Sequence, residues 1–209
     1  MINLEYKWLG QDVDFTQALE MQENRVQEII AERAQSGTFY FLEHAPVYTA
    51  GIRDADMPPH LPHPVIKINR GGLATYHGPG QLVGYLVTDV IALGKDLHAF
   101  LRTMEEALIR ACKTIGINAG REDGLTGVWT SKRKVASMGV GVRKWVSMHG
   151  FALNITPESL PPFGFINPCG IDGVTMTCLH NEGDWRGTPE DFSKLVSNEM
   201  VTLFNLPLK

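Results

Sequence analysis

Three strand-like runs, 127–130, 135–142 and 145–155, follow one another with no helical pattern between them. Neighbouring parallel strands need a crossover of about a dozen residues or more, usually a helix. This stretch leaves no room for one, so strict strand–helix alternation is absent and a doubly wound parallel sheet fits less well. A mixed sheet flanked by helices, an α+β domain, is expected instead. The flanking elements agree. Ile2, Leu4, Tyr6 and Trp8 alternate with polar residues, which signals a half-buried strand. Phe15, Ala18, Leu19, Val26, Ile29 and Ile30 recur at helical spacing from about Asp14, with Gly37 as a stop. Runs 38–42, 65–68 and 82–87 read as strands. A second helix follows Asp96 and ends at Gly116, and a third opens on Thr188-Pro189-Glu190-Asp191.

With 209 residues, 44% hydrophobic and 20% charged, the chain can bury a core unaided and reads as one domain, 1–209. A net charge of −4 argues against non-specific nucleic-acid binding. The three cysteines, Cys112, Cys169 and Cys178, are too few and too odd for a disulfide framework and suit a reducing compartment. No apolar run is long enough to cross a membrane, and the first residues lack the features of a targeting signal. A cytoplasmic protein is expected, with no contact to membranes. Segment 54–64, with four prolines and two histidines, reads as a surface loop.

Sixteen of the 21 glycines lie between Gly71 and Gly173. The densest segment runs Arg70-Gly71-Gly72-Leu73-Ala74-Thr75-Tyr76-His77-Gly78-Pro79-Gly80-Gln81. Either it is a glycine-rich hairpin turn, or it brings backbone N–H donors close to a ligand. It fits neither a Walker loop nor a dinucleotide fingerprint. Cys169 sits between Pro168 and Gly170, in a turn that presents a side chain, whereas Cys112 and Cys178 lie in apolar surroundings and read as buried hydrophobes. Lys134 shares a strand face with Ala136, Met138 and Val140. A lysine on such a face can be desolvated into a base, or can snorkel to water beside Lys132 and Arg133. His60 and His63 alone are weak evidence for a metal, since no cysteine or acidic ligand lies nearby.

These segments together resemble the lipoyl(octanoyl) transferases. The family signature, Arg-Gly-Gly through Thr-aromatic-His to Gly-Pro-Gly-Gln and a later tyrosine, runs unbroken from Arg70 to Gln81 with Tyr85 in place. Lys134-Val135-Ala136-Ser137-Met138-Gly139, His149-Gly150-Phe151-Ala152-Leu153-Asn154 and Pro168-Cys169-Gly170-Ile171 resemble its other three blocks, in the same order. Glu43-His44-Ala45-Pro46-Val47-Tyr48-Thr49 resembles an upstream strand of the family. Ser137-Met138 and Ala50 are mild departures.

The resemblance implies the fold of the biotin and lipoate protein ligases. It also implies transfer of an octanoyl or lipoyl group from acyl carrier protein to the ε-amine of a lysine on a lipoyl domain, without ATP, metal or cofactor. Cys169 would carry the acyl group as a thioester and Lys134 would move its proton. The acyl pocket would be built from Arg70, Gly71, Gly72, Leu73, Ala74, Thr75, Tyr76 and His77, from Ser137, Met138 and Gly139, and from His149, Gly150, Phe151 and Ala152. Acceptors would be lipoyl domains of the 2-oxoacid dehydrogenase acyltransferase subunits and of the glycine cleavage H protein. Nothing in the sequence demands more than a monomer. Lys132, Arg133, Arg143 and Lys144 are candidates for a patch that receives the acidic carrier, or form a solvated basic turn.

Overall fold

The computed structural model describes residues 3–32, 36–51, 57–68, 70, 73–167 and 174–204. In chain order the described strands and α-helices are β1 (Asn3–Trp8), α1 (Phe15–Glu32), β2 (Ser36–Leu42), β3 (Val47–Ala50), β4 (Val65–Lys67), β5 (Thr75–His77), β6 (Gln81–Val87), α2 (Leu97–Thr114), β7 (Val128–Thr130), β8 (Arg133–Arg143), β9 (Val146–Asn154), α3 (Leu179–Glu182) and α4 (Pro189–Phe204), with two short 3-10 turns, Pro157–Ser159 and Pro161–Phe165, after β9. Six strands form one sheet in the order β1-β2-β6-β9-β8-β7, parallel only between β1 and β2. The other three form a small sheet, β4-β3-β5.

The period-2 alternation of strand side chains explains why the large sheet carries helices on both faces. In β2, Phe39 and Phe41 point into a core shared with Phe100, Met104 and Leu108 of α2 and Phe192, Val196 and Met200 of α4. Tyr40 and Leu42 point the other way, onto Ala18, Val26 and Ile29 of α1. Gly37, expected to stop the first helix, lies inside β2 instead. A Cβ there would stand 2.5 Å from Leu4 Cδ2 and 2.7 Å from Thr88 Oγ1, so close packing accounts for this glycine.

The helix ends follow local chemistry. Asp96 accepts a hydrogen bond from the Ala99 N–H at 3.0 Å, and Gly116 leaves α2 with φ +79°. Thr188 Oγ1 accepts from the Asp191 N–H while Asp191 Oδ2 accepts from the Thr188 N–H, both at 3.1 Å. This is a reciprocal capping box, built with aspartate.

Strands β7, β8 and β9 form a meander. The two-residue turns at Ser131-Lys132 and Lys144-Trp145 hold all four residues at positive φ, as tight hairpins of this hand require. The four basic residues read as one patch are therefore divided. Lys132 and Arg133 lie at one end of the eleven-residue β8, and Arg143 and Lys144 about 30 Å away at the other. Arg133 is also bound to Glu182, at 2.9 Å. No helix among the described residues is long and apolar enough to cross a membrane.

Candidate active site

The small sheet is an excursion from the large one. β2 and β6 pair directly, Leu42 opposite Val83, and residues 43–80 leave that pair, build β3, β4 and β5, and return. The segment from Arg70 to Gln81 is therefore no hairpin: β5 pairs with β3, and Gly78-Pro79-Gly80 carries the chain from one sheet to the other. Glu43, buried at the base of the excursion, fixes that turn. Its Oε2 accepts the Gly80 N–H at 2.7 Å, and its Oε1 accepts from Gln11 at 2.8 Å.

Between the two sheets lies a cavity of about 520 Å³, within the usual range for small-molecule sites. Arg70, Leu73, Ala74, Thr75 and His77 line it from the small-sheet side. Lys134, Ser137, Met138 and Gly139 from β8, and His149, Gly150, Phe151 and Ala152 from β9, line the large-sheet side. Tyr76, also expected at the pocket, points away between Thr75 and His77 and packs against Tyr48 and Phe163. Gly71, Gly72 and Cys169 lie outside the described residues. Gly150 borders the cavity, but a Cβ on it would strike the Gly84 carbonyl oxygen at 2.3 Å, so sheet packing also requires this glycine.

Lys134 is 2% exposed, so the snorkelling alternative fails. Its Nζ stands 5.3 Å from the centre of the Trp129 ring. A bulge in β8 beside Trp129 interrupts the alternation on which its face was read. The residue that makes space for it is Gly127. With φ +130°, a Cβ there would lie 2.7 Å from Lys134 Cε and 2.5 Å from the Ala136 carbonyl oxygen. Gly127 is held in turn by Glu105, a fully buried carboxylate on α2, which accepts the Gly127 N–H at 2.9 Å. Arg102 and Arg121 pair with its other oxygen at 2.6 and 3.0 Å.

The backbone of Lys134 also receives the chain that follows the Pro-Cys-Gly motif. Its N–H donates to the Thr175 carbonyl and its carbonyl accepts from the Thr177 N–H, both at 2.9 Å. The downstream flank of the motif is thus pinned to the strand that bears the lysine. The other two thiols are unsuited to attack. Cys112 and Cys178 are buried, and burial pushes the Cys112 thiol up to about 12 and raises that of Cys178.

The polar residues around the cavity form an ordered set. His44 Nδ1 donates to the Val13 carbonyl at 2.9 Å, so its Nε2 accepts the Tyr85 hydroxyl, at 2.7 Å. Burial lowers His44 to about 4 and His149 to about 4, the latter helped by the Arg70 guanidinium. His77 falls to about 3, through burial first and then repulsion from His44. All three rings are neutral near pH 7. His149 has φ +62°, costly for a residue with a side chain, and its N–H leaves the sheet to donate to Gln22 Oε1 at 2.8 Å. Arg70 Nη2 donates to the carbonyl and hydroxyl oxygens of Thr49.

Glu105, Gln22 and Gly127 escaped the sequence reading. A glutamate and a glutamine on amphipathic helices look like solvent-facing residues until the strands they reach are known. Phe15, Ile68, Tyr85, Leu101, Val140 and the loop residues Gly124, Leu125 and Thr126 complete the lining. Tyr85 was the one with a signal, as the last position of the first motif.

A mixed sheet with a cavity closed by an excursion between two of its inner strands defines a class, the lipoate- and biotin-ligase kind of domain. Lipoate-protein ligase A bound with ATP superimposes with a TM-score of 0.70 at 13% identity, covering 100% of this chain and 87% of that one. Biotin protein ligase from Aquifex aeolicus, in complex with biotin and ATP, gives 0.60 at 12% identity, covering 98% and 71%. At such identities the likeness concerns the fold. Residues 14–201 match the model of the lipoyl protein ligase A/B catalytic domain, and the chain belongs to that family. It is 41% identical over 205 residues to an octanoyltransferase of Citrifermentans bemidjiense, covering 94% of this chain and 95% of the relative. It is 49% identical over 170 residues to an octanoyltransferase of Geobacter metallireducens, covering 80% and 78%.

Proposed function

We propose that this protein is an acyltransferase that moves an octanoyl group from acyl carrier protein to the ε-amine of a lysine on a lipoyl domain. Residues 1–209 act as one catalytic domain. The Cys169 thiolate attacks the carbonyl carbon of the donor thioester. The tetrahedral intermediate collapses, the carrier's thiol leaves with a proton, and the acyl group stays on Cys169 as a new thioester. The acceptor amine then attacks that carbonyl, loses a proton, and expels the Cys169 thiolate. Lys134 takes the thiol proton, delivers it to the leaving carrier, and later receives the proton of the amine.

The observation that carries this reading is the pairing of Thr175 and Thr177 with the backbone of Lys134. It ties the flank of the Cys169 loop to a buried lysine beside an apolar cavity. An octanoyl chain gains about 0.8 kcal/mol for each methylene it buries there. Ser137 suits the reacting carbonyl: its Oγ is buried with no hydrogen-bond partner among the described residues.

The test is an intact mass after mixing with octanoyl-acyl carrier protein. Wild type should gain one octanoyl group, and Cys169→Ser should gain no hydroxylamine-sensitive label. A label that persists on Cys112 or Cys178 overturns the assignment. Acylation that requires ATP would indicate a ligase instead.

A further inference from the structure

The hydrogen bonds behind His77 run in one direction. Thr177 O can only accept, so the Asn154 group facing it at 3.0 Å is the amide Nδ2. That leaves Asn154 Oδ1 toward Gln81, where it accepts from Gln81 Nε2 at 3.0 Å. The same Nε2 donates to the Tyr76 carbonyl at 3.2 Å, which independently fixes the orientation of the Gln81 amide. Gln81 Oε1 therefore faces His77 Nδ1, at 2.8 Å, and a carbonyl oxygen there requires Nδ1 to carry the hydrogen. Gln81 and Asn154 are both 1% exposed and sit opposite each other in β6 and β9, so the amides are held in place.

A neutral imidazole with its hydrogen on Nδ1 has a bare lone pair on Nε2. His77 lines the cavity, and Nε2 has no hydrogen-bond partner among the described residues. It can accept a hydrogen bond there and cannot donate one to a carbonyl oxygen. Of the two reactants that meet in this cavity, the amine brings the stronger need for such a group. A thiolate has no hydrogen to place, whereas a neutral primary amine attacking through its lone pair carries two N–H bonds into an apolar space.

Resting on the acyl-transfer reading above, we infer that His77 is the hydrogen-bond acceptor that orients the incoming acceptor amine, its tautomer set by the Thr177–Asn154–Gln81 relay. The ring positions the nucleophile and is too weak a base to keep its proton, which passes to Lys134. Because Thr177 also donates to the Lys134 carbonyl, one backbone residue aligns both groups that the amine must meet.

The tautomer is testable without activity. Proton–nitrogen-15 correlation spectra of wild-type protein labelled in its histidine rings should show His77 protonated on Nδ1 and bare on Nε2 near neutral pH. Hydrogen on Nε2 overturns the inference. The role is tested by forming the octanoyl-enzyme and following its discharge onto a lipoyl domain in single turnover. His77→Phe should slow discharge about tenfold relative to loading, the worth of roughly one hydrogen bond. His77→Gln, which can offer an amide oxygen near the Nε2 position, should recover part of that loss. Loading slowed as much as discharge would assign the ring to the thiol step and overturn the inference. Should His77→Phe not fold, Gln81→Met removes the partner of Nδ1 and should shift the tautomer and slow discharge together. A wild type that forms no octanoyl-enzyme overturns the acyl-transfer reading and the role with it; the tautomer spectrum tells the two failures apart.

Discussion

The two walls of the cavity are held by different means. On the large-sheet side, missing side chains and backbone turns set the geometry, with Glu105 and Gln22 pinning the N–H groups of Gly127 and His149. Gly127 leaves space for the stem of Lys134, Gly150 clears the Gly84 carbonyl, and His149 turns at positive φ. On the small-sheet side, side-chain amides and hydroxyls do the holding, through Gln81 beneath His77 and Thr49 beneath Arg70. A wall made by excluding Cβ atoms should not tolerate any added atom. A wall made by hydrogen bonds should tolerate swaps that keep donors and acceptors.

The largest effect expected is on chemistry at the first wall. Lys134→Ala should lower turnover by about 10²–10⁴-fold, the range for loss of an acid–base group, in steady-state assays across pH. Wild-type rates at every pH would remove the lysine from the mechanism. Gly127→Ala comes next. A Cβ meets a backbone oxygen at 2.5 Å and the φ is unfavourable, so unfolding in urea should show a loss of about 2–4 kcal/mol, with activity falling alongside. A variant as stable as wild type would break the contrast between the walls.

Gln22→Leu should cost about 1–3 kcal/mol, because the His149 N–H would be left buried without its acceptor. Acid sharpens the comparison by loading histidines on both walls. His44, His77 and His149 all titrate below their ordinary 6.5 in the folded protein, so between pH 6.5 and about 4, and for His77 down to about 3, the unfolded chain binds protons that the folded chain does not. Their contribution to stability is complete above pH 6.5 and is lost as the pH falls toward 3. The urea midpoint should drop across that window, and His77→Gln should flatten the drop. The smallest effect belongs to Cys112→Ala, which removes one buried sulfur for about 1 kcal/mol and leaves octanoyl loading intact.

Much of this was legible in the amino-acid order. Alternation in 2–8 and the helical faces after Asp14 and Asp96 specify burial directly, and the structure has those elements where the periodicity puts them. The described motif residues Thr75 and His77 on β5, Ser137 to Gly139 on β8 and His149 to Ala152 on β9 converge because those strands border one cavity. What stayed hidden is whatever depends on which strand neighbours which. Gly37 reads as a helix stop from local sequence, and only its pairing opposite Leu4 reveals the crowding it relieves. Glu105 and Gln22 have the same polarity as exposed neighbours, and their burial follows from partners 22 and 127 positions away. The basic residues around β8 cluster along the sequence near each turn, while the length of the strand separates them.

The excursion between β2 and β6 has a bearing on how such a domain can diversify. The entropy of closing a long connection rises only with the logarithm of its length, so a segment such as 43–80 costs the β2–β6 pair about 2–3 kcal/mol more than a two-residue turn would. Its base is clamped at Glu43, and one cavity wall hangs from it. The excursion is in effect an exchangeable cassette. Lengthening or replacing it should alter which chain fits the cavity while the six-stranded sheet, and the lysine it carries, persist unchanged.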